Sequence, residues 1–217
     1  KIMESFLFDD FDILSPAAWK QKIQVDLKGA DYNDTLLWKT NEGIIVKPFY
    51  TQEDKNNADI NLPNRGFNVC QSIFIDDVSI ANKLAKEAIQ RGANSIQFKA
   101  TQTFDYASLL KSIELSSTVL YFNLDFLNSG FVLKLNEFCK STNCYFQIDI
   151  ISHLAKTGNW YTNLNSDIHE VKKFVRSVEN SICVNAALYQ NAGASIVQEL
   201  AYALSQTNEY IELYGSS

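Results

Sequence analysis

Ser95-Ile96-Gln97-Phe98-Lys99-Ala100 and, after a helix-period segment over 104–115, Thr118-Val119-Leu120-Tyr121-Phe122-Asn123-Leu124 set the pattern for most of this chain. Each is a short run rich in β-branched and aromatic residues, bounded by polar turn residues, which is the signature of a strand. Outward from this pair the pattern recurs. Strands are expected over 68–75, 95–100, 118–124, 144–151 and 181–188, with helices over 80–91, 104–115, 130–139, 167–179 and 194–206. Ile80, Leu84, Ala88 and Arg91 step along one helix face before Gly92, and Ile168, Val171, Phe174, Val175 and Val178 form the buried stripe of a later helix. Strands read as apolar on both faces and alternating with helices call for a parallel sheet covered by helices. About five β/α units fit. Eight units closing a barrel take about 250 residues, and only about 150 follow residue 64, so the reading is an α/β protein of (β/α)8 TIM-barrel type, incomplete at about five units, or an open five-stranded sheet.

Before this region lies an irregular arm, residues 1–64, which holds all three prolines; residues 65–217 form the partial barrel. Ser15-Pro16 places a cap and a proline at the start of one helix, on which Trp19, Ile23 and Leu27 share a face until Gly29. The arm is otherwise marked by aromatics.

With 217 residues, 46% of them apolar, the chain has material for a packed core. Asp and Glu outnumber Lys and Arg by 25 to 19, and a net charge of −6 argues against nucleic acid and against an anionic membrane surface. Apolar runs such as 118–122 are far shorter than the roughly 20 residues of a membrane helix, and the first ten residues lack the apolar core of a secretory signal. The four cysteines, Cys70, Cys139, Cys144 and Cys183, have no metal-ligand spacing and read as reduced structural thiols, which points to the cytoplasm.

No glycine-rich phosphate loop and no nucleophile elbow is present. Polar residues near strand ends, Lys99, Asn123, Asp125, Gln147, Asp149, Asn185, Tyr189 and Gln190, would line the mouth where a β/α protein builds its site. No pair among them forms an acid/base constellation by spacing, and each is equally suited to capping the next helix. His169 reads as a solvated helix residue. His153 follows a strand end, where an imidazole serves either packing or binding.

Two segments carry a resemblance. Trp19 to Tyr32, continuing through Leu37-Trp38-Lys39-Thr40-Asn41-Glu42-Gly43-Ile44 to Lys47-Pro48-Phe49-Tyr50-Thr51, resembles the region that precedes the substrate barrel of methylmalonyl-CoA mutases. Residues 185–210, with Asn191-Ala192-Gly193-Ala194, Gln198-Glu199-Leu200-Ala201 and Asn208-Glu209-Tyr210, are similar to that barrel's fifth strand and following helix. The resemblance implies an amino-terminal (β/α)8 barrel around a CoA ester and a separate domain presenting adenosylcobalamin. The family interconverts methylmalonyl-CoA and succinyl-CoA by a radical rearrangement, in which the cofactor supplies the hard chemistry.

Departures from the family pattern say which member is resembled. Where catalytic chains carry Gly-Tyr-His at the end of the fifth strand, this chain has Ala186-Ala187-Leu188, and Leu188 cannot donate a hydrogen bond to a thioester carbonyl. Arg65-Gly66 passes directly into Phe67-Asn68-Val69, without the substrate-contacting loop, and no Asp-x-His-x-x-Gly cobalamin motif occurs. The pattern resembles the small, non-catalytic subunit of two-chain members, which pairs with a catalytic large subunit as a heterodimer and continues beyond a fifth unit. In that setting Trp19, Tyr32, Trp38 and Tyr50 would face the partner, since interfaces are enriched in aromatics. Adenosylcobalamin is then expected in the holoenzyme and not on this chain alone. Unpaired sheet edges imply self-association or cover by the arm. Two other readings stay open: an active acyl-CoA mutase barrel needing a separate cobalamin-domain partner, and a stand-alone CoA-ester-binding domain.

Overall fold

The computed structural model describes residues 11–12, 14–55, 66–140 and 143–215. It divides into two compact units, Lys1–Pro63 and Asn64–Ser217. Arg65, with the shortened loop, lies outside the described residues, as does the 64/65 boundary.

In the first unit, helix α1 (Pro16–Asp26) starts where Ser15 Oγ accepts from the Ala18 N–H at 3.1 Å, with Pro16 at the first helical position. The backbone leaves it through Lys28 and Gly29, both at positive φ. Beyond the one expected helix the unit contains a short α2 (Tyr32–Leu36), capped by Asp31, and a hairpin of β1 (Trp38–Lys39) on β2 (Ile45–Val46). Gly43, at φ 81°, lets the hairpin turn close. Trp19 packs edge-on against Phe49, ring centres 6.4 Å apart.

In the second unit, β3 (Cys70–Phe74), α3 (Val78–Gln90), β4 (Ser95–Ala100), α4 (Tyr106–Leu109), β5 (Val119–Leu124), α5 (Ser129–Cys139) and β6 (Cys144–Gln147) alternate. They are followed by α6 (Ile150–Thr157), α7 (Leu164–Lys172), α8 (Ala187–Asn191) and α9 (Ile196–Tyr214). The four strands lie parallel in the order β3-β4-β5-β6. Sequential order with crossovers of one hand places the connecting helices on one face, so only that face is sealed. Ile73, Phe98, Phe122 and Phe146 fall in one register row across it, all buried, and the three phenyl rings stack at 5.9 and 5.6 Å. Phe104 and Phe131 extend this aromatic layer towards the helices.

The opposite face corrects the reading of strands apolar on both sides. There Ser72, Gln97, Tyr121 and Tyr145 form one row, and Phe74, Lys99, Asn123 and Gln147 the next, all half-buried or exposed. The strands alternate with period two. The stretch Val119–Phe122 looks continuously apolar because Val119 and Tyr121, both half-buried on the open face, count as apolar by composition.

Other boundaries moved for local reasons. The fourth strand stops at Gln147 rather than 151 because Asp149 caps α6, its Oδ1 accepting from the Ser152 N–H at 2.9 Å. The fifth strand, expected over 181–188, is reduced to a parallel bridge between Ile182 and Ile148, supported by bonds from Phe146 N to Asn180 O and from Cys183 N to Ile148 O. Its continuation is lost because the Asn185 N–H is taken by Asp149 Oδ2 at 2.8 Å and the chain then turns into α8. The helix expected over 104–115 ends at Leu109, followed by Ser112 at φ 62°. On α3 the docked face is Ala81 and Ala85, while Ile80 and Leu84 stay exposed, because small side chains let the helix approach the sheet closely. The sheet is open among the described residues, so the structure shows an α/β fold with a parallel sheet and not a closed barrel.

Glu170 ties α7 to α5: its Oε1 accepts from the Ser129 N–H at 2.9 Å and from the Ser129 hydroxyl, and its Oε2 pairs with Lys173. Lys173 first, then the Ser129 hydroxyl, hold its carboxyl at about 2. A depressed folded-state value stabilises above the ordinary 4.5 and loses that stabilisation as pH falls towards about 2. Acid titration followed by circular dichroism should therefore show a stability loss across this window that Glu170→Gln flattens. Phe122→Ala should lower the unfolding free energy by about 3–5 kcal/mol in urea, and Tyr145→Ala, on the open face, by no more than about 1 kcal/mol.

Candidate functional site

At the carboxyl ends of the strands the open face deepens into a cleft of about 450 Å3. Of the residues expected at a mouth, the fold brings together Lys99 from β4, Asn123 from β5, Asp125 just beyond it, Gln147 at the end of β6, Asp149, and Asn185 after the residual fifth strand. Tyr189 and Gln190 lie on α8 and do not line it. Tyr189 stacks on Tyr202 at 4.4 Å and its hydroxyl donates to Gln206 Oε1, while Gln190 is exposed. Leu188 forms part of the cleft wall and offers no donor there.

His153, left between packing and binding by its sequence position, lines the cleft, and so do Gln97, Lys156, Tyr161 and Cys183, which the sequence did not mark as cleft groups. His153 and Lys156 are three residues apart, a spacing that puts both on one face once α6 is recognised as a helix. The local signal is Asp149, whose capping role the sequence leaves open beside a place in the mouth, and a strand extended to 151 hides the helix start.

Asp149 holds the cleft's floor together. Its Oδ1 accepts from Ser152 N, from the Tyr210 hydroxyl at 2.6 Å and from Gln206 Nε2, and its Oδ2 from Asn185 N. One carboxylate thus joins the strand end, the start of α6, the chain leading to α8, and α9. Burial first, then the Asp149 charge, push the Tyr210 phenol well above its ordinary range, so it stays a donor at neutral pH. Burial and the same charge raise the Cys183 thiol to about 12. Across the open face, Ser72 Oγ donates to Gln97 Oε1 at 3.0 Å and Gln97 Nε2 to Gln147 Oε1 at 2.6 Å, a chain of polar contacts reaching from β3 to β6.

On the far wall Asp125 faces both Lys156 Nζ and His153 Nδ1, each at 3.4 Å. The His153 ring lies flat on Tyr161, centres 3.7 Å apart and planes 15° from parallel. Desolvation, followed by the charges of Asp125, Asp149 and Asp167, keeps the Tyr161 phenol protonated. Among the described residues no group of three or more His, Cys, Asp or Glu is gathered as for a metal ion, and no helix is long and apolar enough to cross a membrane.

The arm's aromatics sit in the first unit. Trp19, Trp38 and Tyr50 are exposed and Tyr32 is half-buried. Trp19 and Tyr50 border a shallow groove with Leu14, Pro16 and Phe49. Lys20 lies over Tyr32 at 4.9 Å.

Residues 136–216 match a protein-family model described as methylmalonyl-CoA mutase. The methylmalonyl-CoA mutase small subunit of Porphyromonas gingivalis is 30% identical to this chain over an alignment covering 95% of it and 38% of the relative. The chain therefore spans less than two fifths of that relative's length. Removing the Asp149 carboxylate leaves its donors without an acceptor, so Asp149→Ala should cost about 2–4 kcal/mol of stability. Hydrogen exchange should then speed up most in α9, and Asp149→Asn should do less damage.

Proposed function

This chain belongs to the methylmalonyl-CoA mutase family, and we propose that it serves there as a small-subunit-like component without a catalytic centre of its own. On this reading it pairs with a catalytic large subunit in a heterodimer of the adenosylcobalamin-dependent enzyme, which interconverts methylmalonyl-CoA and succinyl-CoA. The observation that carries it is Leu188. At the position where catalytic members of the resembled pattern carry an imidazole, this chain has Leu188 on α8, and its isobutyl group forms part of the cleft wall. The relative that is named a small subunit agrees with this assignment.

The four parallel strands in sequential order, with Ile182 bridged beside β6, are read as an arc of a (β/α)8 barrel. The cleft at their carboxyl ends is then the barrel's mouth, with Lys99, Asp125, Gln147, Asp149 and Asn185 as its binding groups. Adenosylcobalamin is not assigned to this chain, since neither His153 nor His169 stands in an Asp-x-His-x-x-Gly motif. The cofactor is assigned to the holoenzyme, and this chain to scaffolding. Trp19, Tyr32, Trp38 and Tyr50 of the arm are assigned to the partner contact, since exposed aromatics are the residues that most often dominate such interfaces.

Size exclusion with mass determination across the peak tests the assignment. Mixed with a methylmalonyl-CoA mutase large subunit, the chain should co-elute at one to one, and Trp38→Ser should weaken assembly about tenfold or more. Separate elution, or isomerisation of methylmalonyl-CoA by this chain without a large subunit, would overturn it.

A further inference from the structure

The helix-covered side of the sheet holds two cysteines that the proposed function leaves unused. On α5, Val132, Leu135 and Cys139 lie along the docked face at helical spacing, and on β6 Cys144 and Phe146 point into the same layer; all five are buried. Cys139 is the last residue of the helix and Cys144 the first of the strand, so the two side chains meet where helix and sheet join. There the thiols are hydrogen-bonded to each other. Cys70 lies on the open face and Cys183 lines the cleft, so the sheet separates both from this pair.

We propose that Cys139 and Cys144 are a site of oxidative modification, which closes to an intrachain disulfide when hydrogen peroxide oxidises Cys144 and Cys139 resolves it. Each residue is only 4% exposed, which shuts out bulky reagents and favours a small, neutral oxidant. The hydrogen bond from Cys139 lowers the Cys144 thiol from its ordinary range against the opposing effect of burial, while the same bond, then burial, raises Cys139. The two sulfurs are therefore unlike. Cys144 supplies the thiolate, which is the nucleophilic form, and Cys139 keeps its proton until the second step.

In the first step the Cys144 thiolate attacks one peroxide oxygen, the O–O bond breaks, and the departing hydroxide takes up the proton that Cys144 has lost, which leaves a sulfenic acid and water. In the second, the Cys139 sulfur attacks the Cys144 sulfur, the S–O bond breaks, and the hydroxyl leaves as water with the Cys139 proton. Two thiols and one peroxide give one disulfide and two waters; each sulfur gives up one electron and the peroxide accepts both. Closure brings the sulfurs to about 2.05 Å. Lys140, directly after Cys139, already stands in the left-handed region at φ 42°, so the adjustment falls at a helix end and not within its hydrogen-bonded turns. The bridge then pins the end of α5 to the start of β6.

Trypsin cuts after Lys134, Lys140 and Lys156, so the two cysteines fall in separate peptides, 135–140 and 141–156, which only a disulfide joins. The folded chain is treated with hydrogen peroxide, alkylated in denaturant and digested without reductant. Mass spectrometry should then find these two peptides linked, and dithiothreitol should part them. In Cys139→Ser the reaction should stop at the sulfenic acid, and dimedone added with the denaturant should mark Cys144 about tenfold more than it marks Cys139 in Cys144→Ser. Cys139→Ala and Cys144→Ala take their place if a buried hydroxyl unfolds the chain, and the linkage in the unaltered protein is read without any variant. Linkage that forms only in urea, linkage of either cysteine to Cys70 or Cys183 instead, or free thiols at 139 and 144 once Cys70 and Cys183 are both oxidised would each overturn the proposal. So would preferential marking of Cys139, since the nucleophile would then be the wrong sulfur. None of these readouts depends on assembly with a large subunit.

Discussion

The Asp149 carboxylate is the point at which local structure becomes tertiary structure in this molecule. It stops β6, caps α6, captures the backbone of Asn185 and anchors α9 through Gln206 and Tyr210. A carboxylate at a helix start is ordinary capping chemistry. Here the same two oxygens also reach residues 36 to 61 positions away, so the end of the sheet, the residual fifth strand and the last helix share one electrostatic anchor. The cleft keeps its shape because its floor is this network and not a loop.

Around that anchor the sheet works as a two-sided object. One side stacks Phe98, Phe122 and Phe146 beneath the helices and supplies the apolar burial that orders the second unit. The other carries serine, glutamine, asparagine, lysine and tyrosine in register rows, which burial alone would not favour. A polar face costs little while water reaches it, and it brings amide and ammonium donors from neighbouring strands to one level. This division places Leu188 in the wall of a cleft whose open face carries polar side chains from three strands.

Much of the architecture was legible in the residues. The β/α alternation, four of the strands and the Ser15-Pro16 helix start follow from period, cap chemistry and β-branched composition, which are properties of neighbouring residues; of the stripe expected on one helix over 167–179, Val171, Phe174 and Val178 are buried, although α7 ends at Lys172. Six of the cleft-lining residues, Lys99, Asn123, Asp125, Gln147, Asp149 and Asn185, were legible as strand-end residues for a related reason: in a β/α unit the strand end determines where a side chain faces the cleft. Which of its two roles His153 takes, and the places of Lys156 and Tyr161, were not legible, because they depend on α6 starting at Ile150, and two isoleucines after Asp149 look like more strand.

What the sequence determined alone is the α/β class, the order of the elements and the family to which the chain belongs, since each is written in local periodicity or in contiguous motifs. Tertiary structure alone decided three further points: that the strands are apolar on one face, that the fifth strand yields to a side-chain hydrogen bond, and that Asp125 meets His153. The physical reason is one of range. Hydrophobic period acts within a turn or two of chain, whereas a carboxylate chooses among donors brought to it by folding, and no spacing in the sequence records that choice.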